Sequence, residues 1–553
     1  MSTTTSAAVG DTASTQGQPM THRQILEALS GLLLGMFVAI LSSTVVSNAL
    51  PRIIAELGGG QSAYTWVVTS TLLAMTASTP LWGKLADLYS KKLLVQLALL
   101  IYVVASVAAA FSQNTGTLIG CRALQGIGAG GLTALAQVVM AAMISPRERG
   151  RYSGYLGAVF AVATVGGPLI GGVIVDTSWL GWRWCFGVGV PFALAAIVIL
   201  QKTLRLPVVR RQVRIDWLGA TLIAAAVSLV LIWVSLAGHN FDWGSWQTAA
   251  MLAGAFVLGA LAIWVESHAA EPVIPLKLFR NSTITLATVA SLFVGVAMFG
   301  ATVFLSQYFQ LARGDSPTKA GLMTLPLIAG LFLSSTITGR IISSTGLWKR
   351  WLVAGTVLIT IGFALMGTMR ADTPYVLLAL YMFVSGAGVG MTMQNLVLSV
   401  QNAVPVSELG VASSTVAFFR SLGGAVGVSA LGAVLGHEVK DSITSGLARL
   451  GVPAGGEAGG SSIPDLGTLP GPVRAVVEDA YGRGAAETFI IAAPFALLAF
   501  LCVIFIKEVP LRRANVTADG EPAEVVEQHE GAAAVEGVPV VGARPQEGAG
   551  TRG

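Results

Sequence analysis

The sequence predicts an all-α polytopic membrane protein with fourteen transmembrane helices, grouped as six, two and six. Three observations predict it. First, the 553 residues are 54% hydrophobic and only 11% charged, with a mean hydropathy of +0.73. Soluble domains carry about 25% charged residues, so a soluble surface of this size could not be covered. Second, the apolar residues gather in runs at roughly 28–50, 65–82, 93–112, 116–143, 152–175, 184–201, 217–237, 249–266, 284–309, 320–342, 351–369, 374–398, 410–436 and 485–506. Each is long enough to cross a bilayer as a helix and too long and uniform for a barrel strand. Third, Lys and Arg concentrate in every second loop.

That asymmetry sets the orientation. Lys84, Lys91 and Lys92, then Arg147, Arg149 and Arg151, then the cluster from Lys202 to Arg214, then Lys277 and Arg280, then Arg340, Lys349 and Arg350 all fall on one side. The opposite short loops hold only Arg52, Arg183, Arg313, Lys319 and Arg370. The basic side is expected to be cytoplasmic and to carry both termini. The organisation reads as a tail at 1–23, a six-helix bundle at 24–201, and a segment at 202–283 with a basic loop and two further helices. A second six-helix bundle at 284–506 follows, then a tail at 507–553. The second bundle is interrupted at 437–484 by a Gly- and Pro-rich segment, expected to be an exposed outer loop with little regular structure. The Ala/Gly/Glu/Val-rich final tail is expected to be disordered.

Composition excludes several classes. The net charge of +5 sits in loops, where it reports topology and anionic headgroups rather than nucleic acid. Cys121, Cys185 and Cys502 lie in apolar runs and suggest neither disulfide nor metal site. None of the patterns G-x-x-x-x-G-K-[ST], H-E-x-x-H or G-x-S-x-G occurs. With 5 histidines and no paired mid-membrane acids, no catalytic or ATP-hydrolysing constellation is visible, so neither an enzyme nor a cofactor is expected.

Four stretches stand out. The loop Trp82-Gly83-Lys84-Leu85-Ala86-Asp87-Leu88-Tyr89-Ser90-Lys91-Lys92 joins two spans so tightly that they must run antiparallel. Gly83 permits a close turn, and Asp87 can accept hydrogen bonds from a helix N-terminus or pair with a cation. The fourth span carries Arg122, Gln125, Gly126, Gly128, Gly130 and Gly131. A mid-membrane Arg costs about 2.5–3.5 kcal/mol, so it persists where it faces a polar interior, pairs or works, and Gln125 shares its face. The fifth span holds Gly154 and then Gly167-Pro168-Leu169-Ile170-Gly171-Gly172. There a proline removes one backbone bond and glycines leave a smooth face. In the penultimate apolar run, Arg420 is a second intramembrane cation, functional or structural.

Together these stretches resemble the major facilitator superfamily, and within it the fourteen-span drug:proton antiporter family two. Gly83, Leu85, Ala86, Asp87, Lys91 and Lys92 match the family's gating loop between helices two and three, with Leu88 and Ser90 as departures. The run from Arg122 resembles R-x-x-Q-G-x-G, which implies a part in proton coupling for Arg122 and Gln125. Gly154, Gly167, Pro168, Gly171 and Gly172 resemble the antiporter motif, which implies a gating hinge. Gly181-Trp182-Arg183-Trp184-Cys185-Phe186 and Phe419-Arg420-Ser421-Leu422-Gly423-Gly424 also resemble this branch. The implied fold is two six-helix halves plus two central helices.

The first span departs from the pattern. Leu41-Ser42-Ser43-Thr44-Val45-Val46-Ser47-Asn48-Ala49-Leu50-Pro51 has Ser42 where the branch usually has Asp. This points away from cationic drugs and leaves the proton carrier unnamed. The resemblance implies a secondary exporter of hydrophobic or amphiphilic compounds, working as a monomer by alternating access on the proton motive force in a bacterial inner membrane. An uptake symporter or an uncoupled facilitator is the alternative. Ser42, Thr44, Asn48, Phe304, Tyr308, Gln394, Asn395 and Arg420 are the expected cavity residues, with Phe293, Met298 and Met393 as further aromatic and methionine candidates.

Overall fold

The computed structural model describes residues 22–58, 61–177, 180–204, 216–237, 241–451 and 469–512. Most of the N-terminal tail, part of the basic loop at 202–216, the middle of the 437–484 segment and the tail from 513 lie outside the described residues, as do the side chains of Asn48 and Pro168.

Among the described residues, fourteen long helices form where the apolar runs stand. They are α1 (His22–Glu56), α2 (Gln61–Leu88), α3 (Lys91–Ala110), α4 (Thr115–Met143), α5 (Pro146–Asp176) and α6 (Gly189–Thr203). Then come α7 (Trp217–Leu236), α8 (Trp246–His268), α9 (Ser282–Gln307) and α10 (Leu325–Thr345). The last four are α11 (Lys349–Met366), α12 (Tyr375–Gln401), α13 (Leu409–Arg449) and α14 (Gly471–Phe505). A single helical turn, Trp184–Gly187, leads into α6, and Pro317–Met323 leads toward α10. Local chemistry marks the ends. Asn114 caps α4 by accepting from the Thr117 amide at 2.9 Å, and Gly346, with φ of 76°, stops α10 in a left-handed turn.

Thirteen of these helices are long and apolar enough to cross a membrane. The other is α2, 28 residues long and so about 42 Å, but rich in Ser and Thr. Its hydroxyls return to their own helix: Thr79 donates to the Met75 carbonyl at 2.7 Å and Thr71 to the Val67 carbonyl at 3.2 Å. Polar groups satisfied in this way are tolerated inside a bilayer.

At the two described ends of the segment 437–484 the structure corrects the sequence expectation of an irregular loop, while 452–468 lie outside the described residues. Helix α13 runs through to Arg449 and α14 begins at Gly471. Val439, Ile443 and Leu447 recur on one face of α13, and Val473, Val477 and Ala480 on one face of α14; all are buried. Gly446 lets Val476 pack directly against its backbone.

Packing repeats between the halves. In the first half α1 packs on α5, α2 on α4 and α3 on α4; in the second α9 packs on α13, α10 on α12 and α11 on α12. Helices α1–α6 thus correspond to α9–α14, each half burying its own apolar core. The halves meet where α2 lies on α13 and α5 on α10. The central pair, α7 and α8, pack on each other, and α7 leans on α2 and α13. Only 22% and 17% of their apolar spans are buried, the lowest shares of any span, so this pair sits on the outside facing lipid.

Candidate functional site

Three arrangements bear on function, and the first is a lock between the halves on the Lys/Arg-rich face. Gly83 of α2 lies so close to α13 that an added Cβ would strike the Ser414 side chain and the Gly410 carbonyl. One turn further on, Asp87 accepts the Gly410 amide on Oδ1 and the Val411 amide on Oδ2, both at 2.8 Å. Those amides open α13, where N–H groups lack intrahelical partners and the helix dipole favours negative charge. Beside it, Gly150 and Gly154 of α5 lie against Gly339 and Thr336 of α10, and Arg147 donates to the Ser343 and Ser344 carbonyls at 3.0 and 2.7 Å. Gln137 of α4 donates to Gln394 of α12 at 3.2 Å.

Arg149 completes the lock. It is 2% exposed and donates to the Ile144 and Ala141 carbonyls at the end of α4, at 2.8 and 2.6 Å. The remaining guanidinium nitrogen, Nη1, donates to Oε1 of Gln401 at 2.9 Å, and Gln401 donates on to Ser413 at 2.8 Å. A cation at a helix C-terminus satisfies orphan carbonyls; here it also ties the first half to the second. In the sequence Arg149 reads only as a topological charge. The signal for more is the adjacent Gly150, whose missing side chain lets two helices meet beside it.

The segment between α8 and α9 spans the same face. Lys84, 5% exposed, pairs with Glu271 at 2.5 Å, and Lys277 pairs with Glu408, next to α13, at 2.7 Å. Glu266 shapes the segment by accepting the Val273 and Ile274 amides at 3.1 and 2.9 Å. Phe279 meets Phe419 edge-on. The two extra helices thus deliver a strap that grips α2 on one side and the start of α13 on the other. Glu271→Gln is expected to lower the thermal unfolding midpoint of the purified protein in detergent by more than Lys277→Gln does. It leaves a buried ammonium without its carboxylate, whereas the Lys277 side chain is 66% exposed and such pairs contribute about 0–1 kcal/mol. Equal shifts would show that the strap does not depend on burial of Lys84.

The second arrangement is a cavity between the halves. Phe160 and Thr164 of α5 face Met298 of α9, Leu327, Ile328 and Leu331 of α10, Phe363 of α11 and Ser385 of α12. Its walls are almost wholly apolar, and the Thr164 hydroxyl is buried without a partner. At about 30 Å³ it is far below the roughly 300–1,000 Å³ of small-molecule sites, too small to hold a substrate in this conformation.

Of the expected cavity residues, Met298 borders this cavity; the others whose side chains are described lie elsewhere, because a helix face is set by packing that the one-dimensional pattern does not contain. Thr44 donates to Ile40, Leu41 and Ala163 carbonyls and packs on Gly167, joining α1 to α5. Gly171 packs on Val45 of the same helix. Of the expected hinge, then, Gly167 and Gly171 serve packing within the first half and Gly154 faces the second, while Gly172 is half-buried near the far end. Phe304 and Tyr308 are core residues, and the Tyr308 hydroxyl donates to the Arg370 carbonyl at 2.6 Å. Asn395 donates to its own helix at Met391, Gln394 belongs to the lock, and Arg420 is buried with its backbone against Gly295. Of the gating loop, Lys91 opens α3 and Lys92 donates to the Gln201 carbonyl of α6 at 2.7 Å, a contact within one half.

The third arrangement is buried in the first half. Arg122 donates to Oε1 of Gln125 at 2.5 Å. Gln125 in turn donates to Ser106 of α3 at 2.7 Å and to Ser42 of α1 at 3.2 Å. Ser42 is therefore part of the arginine network and not of the cavity.

A sequence model of the Major Facilitator Superfamily matches residues 32–428. The chain belongs to the major facilitator superfamily. An uncharacterised MFS-type transporter of Mycobacterium tuberculosis is 37% identical over 89% of this chain and 70% of its own. The multidrug transporter MdtP of Bacillus subtilis is 34% identical over 76% and 77%, and the efflux pump dotC of Dothistroma septosporum 32% over 88% and 84%. Among solved structures, the human organic anion transporter MFSD10 and the proton:xylose symporter XylE each superpose with a TM-score of 0.58 at 14% identity. They cover 87% and 88% of this chain, and 99% and 97% of their own. At that identity the likeness carries the fold alone: two six-helix halves of a multi-pass membrane transporter, here with α7 and α8 between them.

Proposed function

We propose that the protein exports hydrophobic or amphiphilic small molecules across a bacterial inner membrane, by alternating access and in exchange for protons. The observation that carries the reading is the apolar cavity between α5 and α9–α12, sealed on the Lys/Arg-rich face by the lock at Gly83, Asp87 and Arg149. A carrier must hold its substrate between the halves near mid-membrane and close one side at a time. An apolar wall with few hydroxyls suits lipophilic and uncharged parts of a substrate. Relatives named as a multidrug transporter and as efflux pumps support the outward direction. The basic face is cytoplasmic by the positive-inside rule, so this conformation is closed to the cytoplasm, with both termini there. The unit of function is one chain, since the cavity is built from its two halves.

Proton entry supplies about 2.3 kcal/mol per 100 mV of membrane potential. The buried Arg122–Gln125 pair is the part of the protein assigned to coupling, through its resemblance to the family motif. The test is purified protein in proteoliposomes with a pH-sensitive dye, challenged with lipophilic cations, neutral compounds and acidic aromatics. A dye response to a compound, lost in Arg122→Ala, is expected. Substrate movement without proton flux would instead mean an uncoupled facilitator, and inward accumulation would mean an uptake symporter.

A further inference from the structure

Hydrogen-bond accounting around Arg122 leaves one buried donor without an acceptor. The guanidinium is 4% exposed. Nη1 is committed to Gln125, but Nε is buried with no partner. Ser42 and Ser106, 4% and 0% exposed, both accept from the Gln125 amide, and their own O–H groups reach the Tyr102 oxygen. The Tyr102 hydroxyl, alongside on α3, donates to the Val38 carbonyl at 3.5 Å and lies within hydrogen-bonding reach of Ser42, Ser106 and Gln125. Among the described residues no carboxylate pairs with Arg122. A full positive charge with one unpartnered N–H thus sits beside three hydroxyls between α1, α3 and α4 without a counter-charge. An uncompensated buried ion is among the most unfavourable arrangements a protein can hold.

We propose that this cluster is a binding site for a monovalent anion, a halide or a carboxylate, held by Arg122 Nε and by the Ser42 and Ser106 hydroxyls once they rotate from Tyr102 toward it. The anion comes either from solvent or from the acid group of a transported compound; the second source rests on the exporter reading above. The site neutralises Arg122, which is separate from any part the residue plays in moving protons. Charge-assisted hydrogen bonds of this kind are shorter and roughly twice as strong as neutral ones.

The experiment is thermal unfolding of the purified full-length protein in detergent. Sodium chloride or sodium benzoate is titrated at millimolar levels into a constant sodium sulfate background. A saturable rise in midpoint is expected. It should vanish in Arg122→Gln, which removes the charge, and in Ser42→Asp, which places a carboxylate inside the cluster and leaves no room for a second anion. Should Arg122→Gln fail to fold, Ser42→Asp carries the comparison by itself. A rise with both salts identifies a solvent anion as sufficient; a rise with benzoate alone identifies the acid group of a larger compound. No saturable rise with either salt, or a rise that persists in Ser42→Asp, overturns the proposal. Efflux of a neutral lipophilic dye from cells, measured in parallel, tests the exporter reading separately: its absence with anion binding intact would strike that reading and leave the site standing.

Discussion

Gly83→Val is expected to abolish transport while leaving the protein folded and in the membrane. The added side chain would have to occupy space held by Ser414 and by the Gly410 backbone carbonyl, 2.7 Å from the first added carbon. A backbone oxygen cannot rotate aside, so α2 and α13 must separate. Overpacking of this kind costs about 1–3 kcal/mol, and each 1.4 kcal/mol is about a tenfold change in population. Closure toward the cytoplasm would become rare, and the cycle would stall. The measurement pairs proteoliposome transport with labelling of a cysteine introduced at the cavity wall, Ser385→Cys, in a background lacking Cys121, Cys185 and Cys502. A membrane-impermeant maleimide applied from the cytoplasmic side should label Gly83→Val protein quickly and the parent slowly, with Gly83→Ala between them. Normal transport by Gly83→Val would mean that α2 and α13 do not pack this closely during the cycle.

Asp87→Ala is expected to open the same face by a different route. It removes both acceptors from the Gly410 and Val411 amides. Hydrogen bonds to a charged group contribute about 1.5–3 kcal/mol each, so with two of them lost the closed form should fall by at least about 100-fold in population. Asp87→Asn keeps one carbonyl oxygen and should fall between parent and alanine. The labelling assay reads all three. Slow labelling of Asp87→Ala would shift the lock to Arg149 and the strap from Glu271 to Lys277, which would then hold the halves without Asp87.

The two variants separate two properties of one stretch of sequence. Gly83 and Asp87 are legible as a pair in the sequence alone, because a glycine and an acid at fixed spacing in a basic inter-span loop are unusual in composition. Their target is not legible there. It lies more than three hundred residues away at the start of α13, and nothing in the local pattern of residues 82–92 names Gly410. The same holds for Arg149 and Gln401. One reads as a loop charge and the other does not stand out, yet they form a buried bond across the halves.

The substitution of Ser42 for the usual acid is visible in the sequence, but its setting is not. A serine in a membrane helix can face lipid, a cavity or another helix, and only the packing of α1 against α4 puts it beside Gln125. Phe160, Thr164 and Leu331 escape a sequence reading for the opposite reason. Apolar residues are everywhere in such a chain, so those that border a cavity look like those that face lipid.

The sequence by itself determined that this chain is a bundle of fourteen membrane-crossing helices in a six, two and six order, with one face basic. Those properties follow from local quantities: the length of apolar runs, the requirement that backbone groups be satisfied within each segment in lipid, and the placement of Lys and Arg. Tertiary structure decided which helices meet, which face of each is turned inward, that 437–449 and 471–484 are helical, and that the two extra helices send a strap across the closed face. These depend on contacts between residues far apart in the chain, where close packing and the pairing of buried charges select one arrangement among many that the same hydrophobic pattern would allow.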